Sequence, residues 1–379
     1  MTVPYWRLSG FYLFYYATLG AFVPYWSLYL AGLGYAPAAI GQLMALMMMT
    51  RVVAPNVWAW IADHTGRRMP IVQLGSLAAA LAFSGVFFAQ HFWWLALVVM
   101  SFSFFWNASL PQVEVTTFNH LGAQPHRYGG IRLWGSIGFI VSVAGLGPLL
   151  DRFGTGLLPA VLMALFSAIW LSSLWVPERS LGHAPQGHAP LRDVLSQRHV
   201  VALLAVCFLM QASHGPYYTF YSIYLQDHGY SRSLIGQLWA LGVIAEIGVF
   251  VVMPRLVPRF GLRALLLSSL TLAVLRWLLI GYFVDSLPML IIAQVLHAAT
   301  FGVYHGAAIQ LIHRYFRGSH QGRGQALYSS LSFGAGGAVG ALYSGYIWAS
   351  GGGVISFGVA ALISGAALLF AWRGLKVDA

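Results

Sequence analysis

Long runs of apolar residues recur along the whole chain, separated by short segments that carry charges, Gly and Pro clusters and turn dipeptides. An α-helix needs about 20 such residues to cross the hydrocarbon core of a bilayer. The runs are continuous and do not alternate over about ten residues, which excludes an outer-membrane β-barrel. The pattern predicts an all-α polytopic membrane protein with twelve transmembrane helices, near 8–31, 37–62, 69–89, 92–118, 132–150, 157–176, 200–226, 233–254, 263–284, 287–312, 324–349 and 354–373.

The two halves of the chain repeat each other. SLYL at 27–30 returns as SIYL at 222–225, and IGQL at 40–43 returns at 235–238. Six predicted spans separate the copies, so the repeats run parallel and predict two six-helix bundles related by a pseudo-two-fold axis along the membrane normal. We expect an N-terminal bundle at 1–176, a cytoplasmic linker at 177–199 and a C-terminal bundle at 200–379. Secondary transporters of this kind hold substrate near the bilayer midplane.

Composition and charge sharpen this prediction. Hydrophobic residues make up 59% of the chain and charged residues 8%, against about 25% charged in ordinary soluble domains. The net charge of +11 does not predict nucleic-acid binding, because the basic residues are scattered singly. Alternating loop assignment puts fifteen Arg and Lys on the side of the termini and only Arg152 and Arg232 opposite. The positive-inside rule then predicts an inner-membrane protein with both termini cytoplasmic.

A loop signature lies between the second and third predicted spans. Asp63, Gly66, Arg67 and Arg68, within DHTGRR at 63–68, resemble the signature of the major facilitator superfamily. The resemblance covers the whole chain and implies a transporter in which Asp63 contacts a neighbouring helix end and stabilises the outward-open state. The helix dipole makes such a contact favourable. Gly66, Arg67 and Arg68 share this gating role, although Ala59 and His64 depart from the usual signature. An ordinary basic turn is the alternative interpretation.

A second motif opens the fifth predicted span. YGGIRLWGSIG at 128–138 resembles the phenylpropionate permease group and, more distantly, lactose permease. In lactose permease an acid on the fourth helix pairs with an arginine on the fifth, and both hold substrate. Glu114 and Arg132 match those positions, which implies a substrate site that includes Ser136 of the same motif. A purely structural ion pair is the alternative.

Ionisable side chains inside a membrane are costly and are therefore functional candidates. Three arginines stand against two acids at membrane depth, so the formal charge there is positive and favours an anionic ligand. Arg51 is either a substrate ligand or a residue that snorkels to the interface. His214, beside Tyr218 in a stretch rich in aromatic residues, is a further substrate-binding candidate. The intramembrane set is Arg51, Glu114, Arg132, His214, Glu246, Arg276, His297 and His305.

The second half of the chain carries the candidates for proton coupling. Glu246, Arg276 and His297 fall on the eighth, ninth and tenth predicted spans, where lactose permease has its coupling acids, arginine and histidine. Thr300 replaces the acid that lactose permease has one turn after its histidine, and Glu246 lies about one turn from the corresponding acid. Glu246 is the one acid in this half able to carry a proton, and His297 is the other candidate.

These features predict a proton symporter for a small organic solute, most simply an aromatic carboxylate of the phenylpropionate type. A sugar or nucleoside proton symporter is the alternative, since Glu114 and Arg132 suit hydroxyl recognition; a uniporter, an exporter and a membrane receptor that does not transport are less favoured. Enzyme motifs are absent from the sequence. We therefore expect no enzymatic activity, no cofactor and no metal. Substrate, protons and membrane lipid are the expected partners of a monomer.

Overall fold

The structure is a computed structural model that describes residues 3–179 and 192–375, and every regular element in those ranges is helical. The continuous apolar runs explain this, because a helix satisfies its backbone hydrogen bonds internally, as lipid demands. The first half contains α1 (Tyr5–Gly32), α2 (Pro37–Thr65), α3 (Met69–Phe83), α4 (Phe92–Trp106), α5 (Ser109–Leu121), α6 (Tyr128–Phe153) and α7 (Leu158–Leu174).

The second half is broken more often. Two π-helical turns, Ala298–Val303 and Ser330–Gly336, join successive helices without a loop. Residues 180–191 of the predicted linker lie outside the described part of the chain. The helices are α8 (Arg192–Leu195), α9 (Arg198–Ser213), α10 (Gly215–Asp227), α11 (Arg232–Phe260), α12 (Leu262–Tyr282), α13 (Leu287–Val295), α14 (Tyr304–Tyr315), α15 (Gln321–Ser329) and α16 (Gly337–Gly374).

Ten helical segments of the described chain are long and apolar enough to cross a membrane, which makes this a multi-span membrane protein. The count differs from twelve for two reasons. Helix α1 is 28 residues long, but its six tyrosines lower its hydropathy. The last segment, Gln321–Gly374, counts once although it has 54 residues and a non-helical residue, Gly352, in its interior.

The internal repeat is visible in the backbone conformation as well as in the sequence. The positive-φ residues of the described chain are all glycines, and they end or interrupt helices. They fall into four pairs whose members are separated by 195, 195, 196 and 198 residues, within three residues of the 195-residue offset of the sequence repeat. The pairs are Gly34 with Gly229, Gly66 with Gly261, Gly122 with Gly318, and Gly154 with Gly352.

The described helices pack into two compact units, an N-terminal unit of 3–35, 49–179 and Ser231–Gln237, and a C-terminal unit of 36–48, 192–230 and 238–375. Two short segments therefore group with the other half of the chain: 36–48 with the C-terminal unit and Ser231–Gln237 with the N-terminal unit. Direct contacts explain both assignments. A Cβ at Gly41 would lie 2.7 Å from the carbonyl oxygen of Ala341. In the N-terminal unit, the Asp151 carboxylate accepts hydrogen bonds from the backbone N–H groups of Arg232 and Ser233, each at 2.9 Å. Asp151 thereby caps the first turn of α11.

Candidate functional site

Helices α1 and α6 of the N-terminal unit pack backbone to backbone. A Cβ at Gly20 would lie 2.5 Å from the carbonyl oxygen of Phe139, and one at Gly138 would overlap the carbonyl oxygen of Leu13. Glycines at these crossings allow the close approach that drives helix association in lipid. The packing brings the side chains of the middle of α1 against those of the first turns of α6.

Arg132 stacks on Tyr16 at this contact. The guanidinium carbon lies 3.7 Å from the centroid of the Tyr16 ring, a cation–π distance. Gly135, one turn along α6, leaves the space for this stack: a Cβ there would lie 2.6 Å from Tyr16 Cδ2 and 2.7 Å from Arg132 Nη1. Any side chain at position 135 would therefore compete with the stacked pair for the same volume.

Glu114 accepts a hydrogen bond from the Tyr128 hydroxyl at 3.2 Å. The resemblance to lactose permease implied a direct pair with Arg132, and the structure differs. Among the described residues, no ion pair within 4.0 Å joins Glu114 to Arg132. The Tyr16 ring takes the face of the guanidinium and the Tyr128 hydroxyl takes the carboxylate, so the two charges remain neighbours without direct contact.

Two further predicted substrate residues belong to the same unit. Arg51 on α2 is half-buried, and its charge interacts with the hydroxyl of Tyr15, whose ring lies 5.5 Å from that of Tyr16. Ser136 is half-buried on α6, about one helical turn beyond Arg132. The N-terminal unit therefore gathers Arg51, Arg132 and Glu114 around aromatic residues of α1.

Arg276 on α12 is the centre of a second cluster, in the C-terminal unit, and it is completely buried. Its Nε donates to the carbonyl oxygen of Ala293 at 2.9 Å, and its Nη1 donates to Thr300 Oγ1 at 3.1 Å. The rings of Tyr217 and Trp277 flank the guanidinium, with centroids 4.2 Å and 4.8 Å away. No carboxylate of the described residues forms an ion pair with Arg276.

Tyr217 connects Arg276 to polar side chains at the end of α13 and just after it. Its hydroxyl donates to Gln294 Oε1 at 3.0 Å, and its ring lies 5.7 Å from that of His297 and 4.6 Å from that of Trp239. Gln294 is completely buried and His297 nearly so. On the side chains that contact Tyr217, three buried nitrogens have no hydrogen-bond partner among the described residues: Arg276 Nη2, Gln294 Nε2 and His297 Nδ1. Such groups are unusual and call for an explanation.

Glu246 on α11 contacts the same cluster. Its Oε2 lies 3.6 Å from His297 Nε2, and 19% of its side chain is exposed. This contact brings together two of the three predicted coupling residues, while Arg276 bonds to Thr300 and Ala293. Glu246 and Arg276 form no ion pair with each other within 4.0 Å in the described chain.

His214 lies at the break between α9 and α10. Its Nδ1 donates to the carbonyl oxygen of Met210 at 2.8 Å. Its ring stacks on Tyr218 at 5.7 Å and meets Trp277 edge-on at 4.7 Å. His214 and Tyr218 therefore form an aromatic wall beside Arg276. Across the described residues, no three His, Cys, Asp or Glu side chains are placed to hold a metal ion.

The loop signature forms a polar network between α2 and α3. Arg68 pairs with Asp63 at 2.8 Å and donates to Gln112 Oε1 at 2.5 Å. Glu178 accepts hydrogen bonds from the backbone N–H groups of Arg68 and Met69, at 2.8 Å and 2.7 Å, and so caps α3. Gly66 makes the turn with φ of 67°, and Arg67 is exposed.

Sequence reasoning missed four residues of these networks. Tyr16, Gln112 and Glu178 look ordinary in sequence, since Tyr16 lies in an aromatic run and Glu178 in the predicted linker. Gln294 did leave a signal, because an amide in the apolar stretch LPMLIIAQV must find hydrogen-bond partners inside the membrane.

The comparisons with known proteins agree on one class of protein. The sequence model of the MFS_1 like family matches residues 5–359. The chain is 31% identical over 350 residues to a probable 3-phenylpropionic acid transporter of Escherichia coli K12, covering 90% of each chain. It is 28% identical to a maltose permease of Geobacillus stearothermophilus, covering 95% of this chain and 92% of the permease. A crystal structure of a variant of the nucleoside transporter NupG superposes with a TM-score of 0.85 at 15% identity, covering 97% and 98% of the two chains.

Proposed function

This chain belongs to the MFS_1-like family of membrane transporters, which are not enzymes, and we propose that it is a proton symporter for an aromatic carboxylate. In this proposal, protons moving into the cell drive uptake of a phenylpropionate-type acid by alternating access. Substrate, protons and lipid are its partners, and it acts as a monomer.

The proposed architecture has twelve spans in two six-helix bundles, at 1–176 and 200–379. The pairing of Gly352 with Gly154 supports this count, because Gly154 separates α6 from α7 and Gly352 interrupts α16 at the corresponding point. A continuous helix of 54 residues would be about 80 Å long, more than twice the hydrocarbon thickness. The asymmetry of basic residues supports an inner-membrane protein with cytoplasmic termini.

The contact between Glu246 and His297 carries the proposal of proton coupling. A proton carrier must exist in both protonation states during the cycle, so it needs a partner that can accept or release charge. Glu246 and His297 are placed to act as such a pair, with 3.6 Å between Oε2 and Nε2. Glu246 is also partly exposed, and the Arg276 guanidinium lies over the ring of Tyr217, which is 5.7 Å from the ring of His297.

The substrate class rests on two further observations. The family relative with 31% identity is a probable 3-phenylpropionic acid transporter, and both clusters combine arginine with stacked aromatic rings. In the N-terminal unit, the proposed binding groups are Arg132, Glu114, Arg51 and Ser136. In the C-terminal unit, they are His214 and Tyr218, whose rings stack on each other.

Proteoliposomes with an imposed pH gradient test the coupling. Glu246→Gln imitates the protonated carboxyl permanently, so it should keep 3-phenylpropionate binding and exchange of internal for external substrate, yet lose uphill accumulation. His297→Asn should give a milder loss, since the carboxyl can still titrate. Asp193→Asn, which removes an exposed acid of α8, is the matched control and should accumulate substrate normally. Uphill accumulation by Glu246→Gln would refute this assignment, and a substrate-induced pH change would then separate coupling through Glu114 from uniport.

A sugar or nucleoside symporter is the second candidate. The relative named as a maltose permease and the superposition on a nucleoside transporter favour it. The Glu114 carboxylate and the Tyr128 hydroxyl oxygen offer acceptors for substrate hydroxyls. Thermal stabilisation of the purified protein by 3-phenylpropionate, maltose and uridine decides between the two classes. If uridine or maltose stabilises the protein and 3-phenylpropionate does not, the substrate is a nucleoside or a sugar and not an aromatic acid.

A further inference from the structure

Arg276 is a completely buried cation without a carboxylate partner in the described chain. An unpaired charge is strongly disfavoured in a low-dielectric interior. The two flanking rings of Tyr217 and Trp277 stabilise the guanidinium by cation–π contact. They do not neutralise it, and the two neutral oxygens of Ala293 and Thr300 do not either. The Arg276 guanidinium therefore has no anionic partner in direct contact among the described residues, although the Glu246 carboxylate contacts His297.

The unused hydrogen-bonding groups indicate where an anionic partner of Arg276 would bind. Arg276 Nη2, Gln294 Nε2 and His297 Nδ1 have no protein partner in the described chain, and all three side chains contact the same residue, Tyr217. The Tyr217 hydroxyl holds Gln294 Oε1, which orients the amide so that its NH₂ group is the free end. A guanidinium N–H and an amide N–H on adjacent side chains match the two oxygens of a carboxylate.

We propose that Arg276 and Gln294 form the carboxylate-binding site of this protein, with His297 beside it. This rests on the proposed function and deepens it, because it assigns the acid group of the substrate to the C-terminal unit. The rings of Tyr217, Trp239 and His214 provide apolar surface for the rest of an aromatic acid. Arg132 is less suited to an anion, since Glu114 already lies in its field and Tyr16 covers its face.

An internal counterion tests the site without any ligand. Gln294→Glu keeps the oxygen that accepts from Tyr217 and replaces the free amide by a carboxylate oxygen, so it should neutralise Arg276 and raise the melting temperature of the ligand-free protein. Gln211→Glu is the matched control. Gln211 is a buried glutamine of α9 with an unpartnered Nε2. Among the described residues it forms no hydrogen bond with Arg276, so the same substitution there should lower the melting temperature. A Gln294→Glu protein destabilised as much as Gln211→Glu would overturn the proposal.

Thr300→Asp supplies the same charge from another direction. Thr300 Oγ1 already accepts from Arg276 Nη1, so an aspartate there should also stabilise the protein, and Thr300→Ser should leave it near the wild type. If neither acidic variant folds, wild-type protein still decides, because 3-phenylpropionate should bind much more tightly than its neutral isostere 3-phenylpropanol. Equal affinity for the acid and the alcohol would refute a carboxylate site.

Equilibrium binding of 3-phenylpropionate to the purified full chain completes the test. Loss of a charge-assisted hydrogen bond should weaken binding about 10- to 100-fold in Gln294→Glu and Thr300→Asp. Unchanged affinity would remove Arg276 from the site while leaving proton coupling untouched, since no gradient is present. Stabilisation by chloride equal to that by 3-phenylpropionate would assign the site to an inorganic anion and overturn the carboxylate. If neither anion binds, the proposed substrate is wrong. The melting temperatures of Gln294→Glu and Thr300→Asp still test whether Arg276 needs a negative partner.

Discussion

Replacing Gly135 by alanine should weaken substrate binding without unfolding the protein. The new Cβ would lie 2.6 Å from Tyr16 Cδ2 and 2.7 Å from Arg132 Nη1, whereas non-bonded carbon atoms prefer about 3.5–4.0 Å. Both atoms belong to side chains, so the stack of Arg132 on Tyr16 yields before the backbone does. The guanidinium should then move by about 1 Å from its position over the ring.

Two opposing effects determine the change in the free energy of unfolding in Gly135→Ala, and one effect determines the change in affinity. Alanine is about 1 kcal/mol better than glycine within a helix, and overpacking costs about 1–3 kcal/mol. The net loss of stability is therefore between about 0 and 2 kcal/mol. A hydrogen bond from Arg132 to the ligand that is misaligned by this movement loses about 1–2 kcal/mol. The affinity for the probe should fall about 5- to 30-fold if Arg132 binds it.

The assay compares two substitutions on the same helix. Gly145 also lies on α6, and a Cβ there meets nothing within 4 Å, so Gly145→Ala should bind the probe as the wild type does. The melting temperature and the dissociation constant for the probe are measured for both purified variants. The probe is whichever of 3-phenylpropionate, maltose and uridine stabilises the wild type against heat. Equal dissociation constants for the two variants would refute a role for the stacked arginine in binding.

Three further predictions address other contacts. Arg132→Lys should transport the probe almost as poorly as Arg132→Ala, because an ammonium group cannot stack on Tyr16 as a planar guanidinium does; near-normal uptake by the lysine variant would reduce Arg132 to a tie between helices. Asp63→Asn should slow transport in proteoliposomes and leave equilibrium binding within a few-fold, a coupling of roughly 1 kcal/mol, and complete loss of binding would contradict this. Asp151→Ala should lower the melting temperature through a loss of about 1 kcal/mol, since it uncaps α11, whereas an unchanged melting temperature would show that water replaces the carboxylate.

The class of protein could be predicted from sequence because hydropathy is a local property. Each apolar run must form a helix in lipid, whatever its neighbours do, since no other structure satisfies its backbone groups there. The turn glycines are local in the same sense. Gly34 and Gly66 recur as Gly229 and Gly261 in sequence, and all four adopt positive φ in the structure.

The intramembrane charged residues were also identifiable in sequence, because a charged side chain in hydrocarbon is energetically costly at any position and is therefore a functional candidate. Their partners were not identifiable. Glu114 and Arg132 have the spacing of an ion pair, yet each contacts a tyrosine instead. Glu246 contacts His297, and Arg276 contacts Tyr217 and Thr300.

The tertiary structure alone decided these contacts, because a side-chain contact depends on how two helices are rotated and how closely they cross. Gly138 lets α6 approach the backbone at Leu13, 125 residues earlier, and only that approach places Tyr16 over Arg132. Glu178 reaches the start of α3 from a point 110 residues further along the chain. Sequence therefore determined that this chain spans a membrane and which charged side chains are energetically costly there. Packing between distant segments determined which residues contact and stabilise each of them.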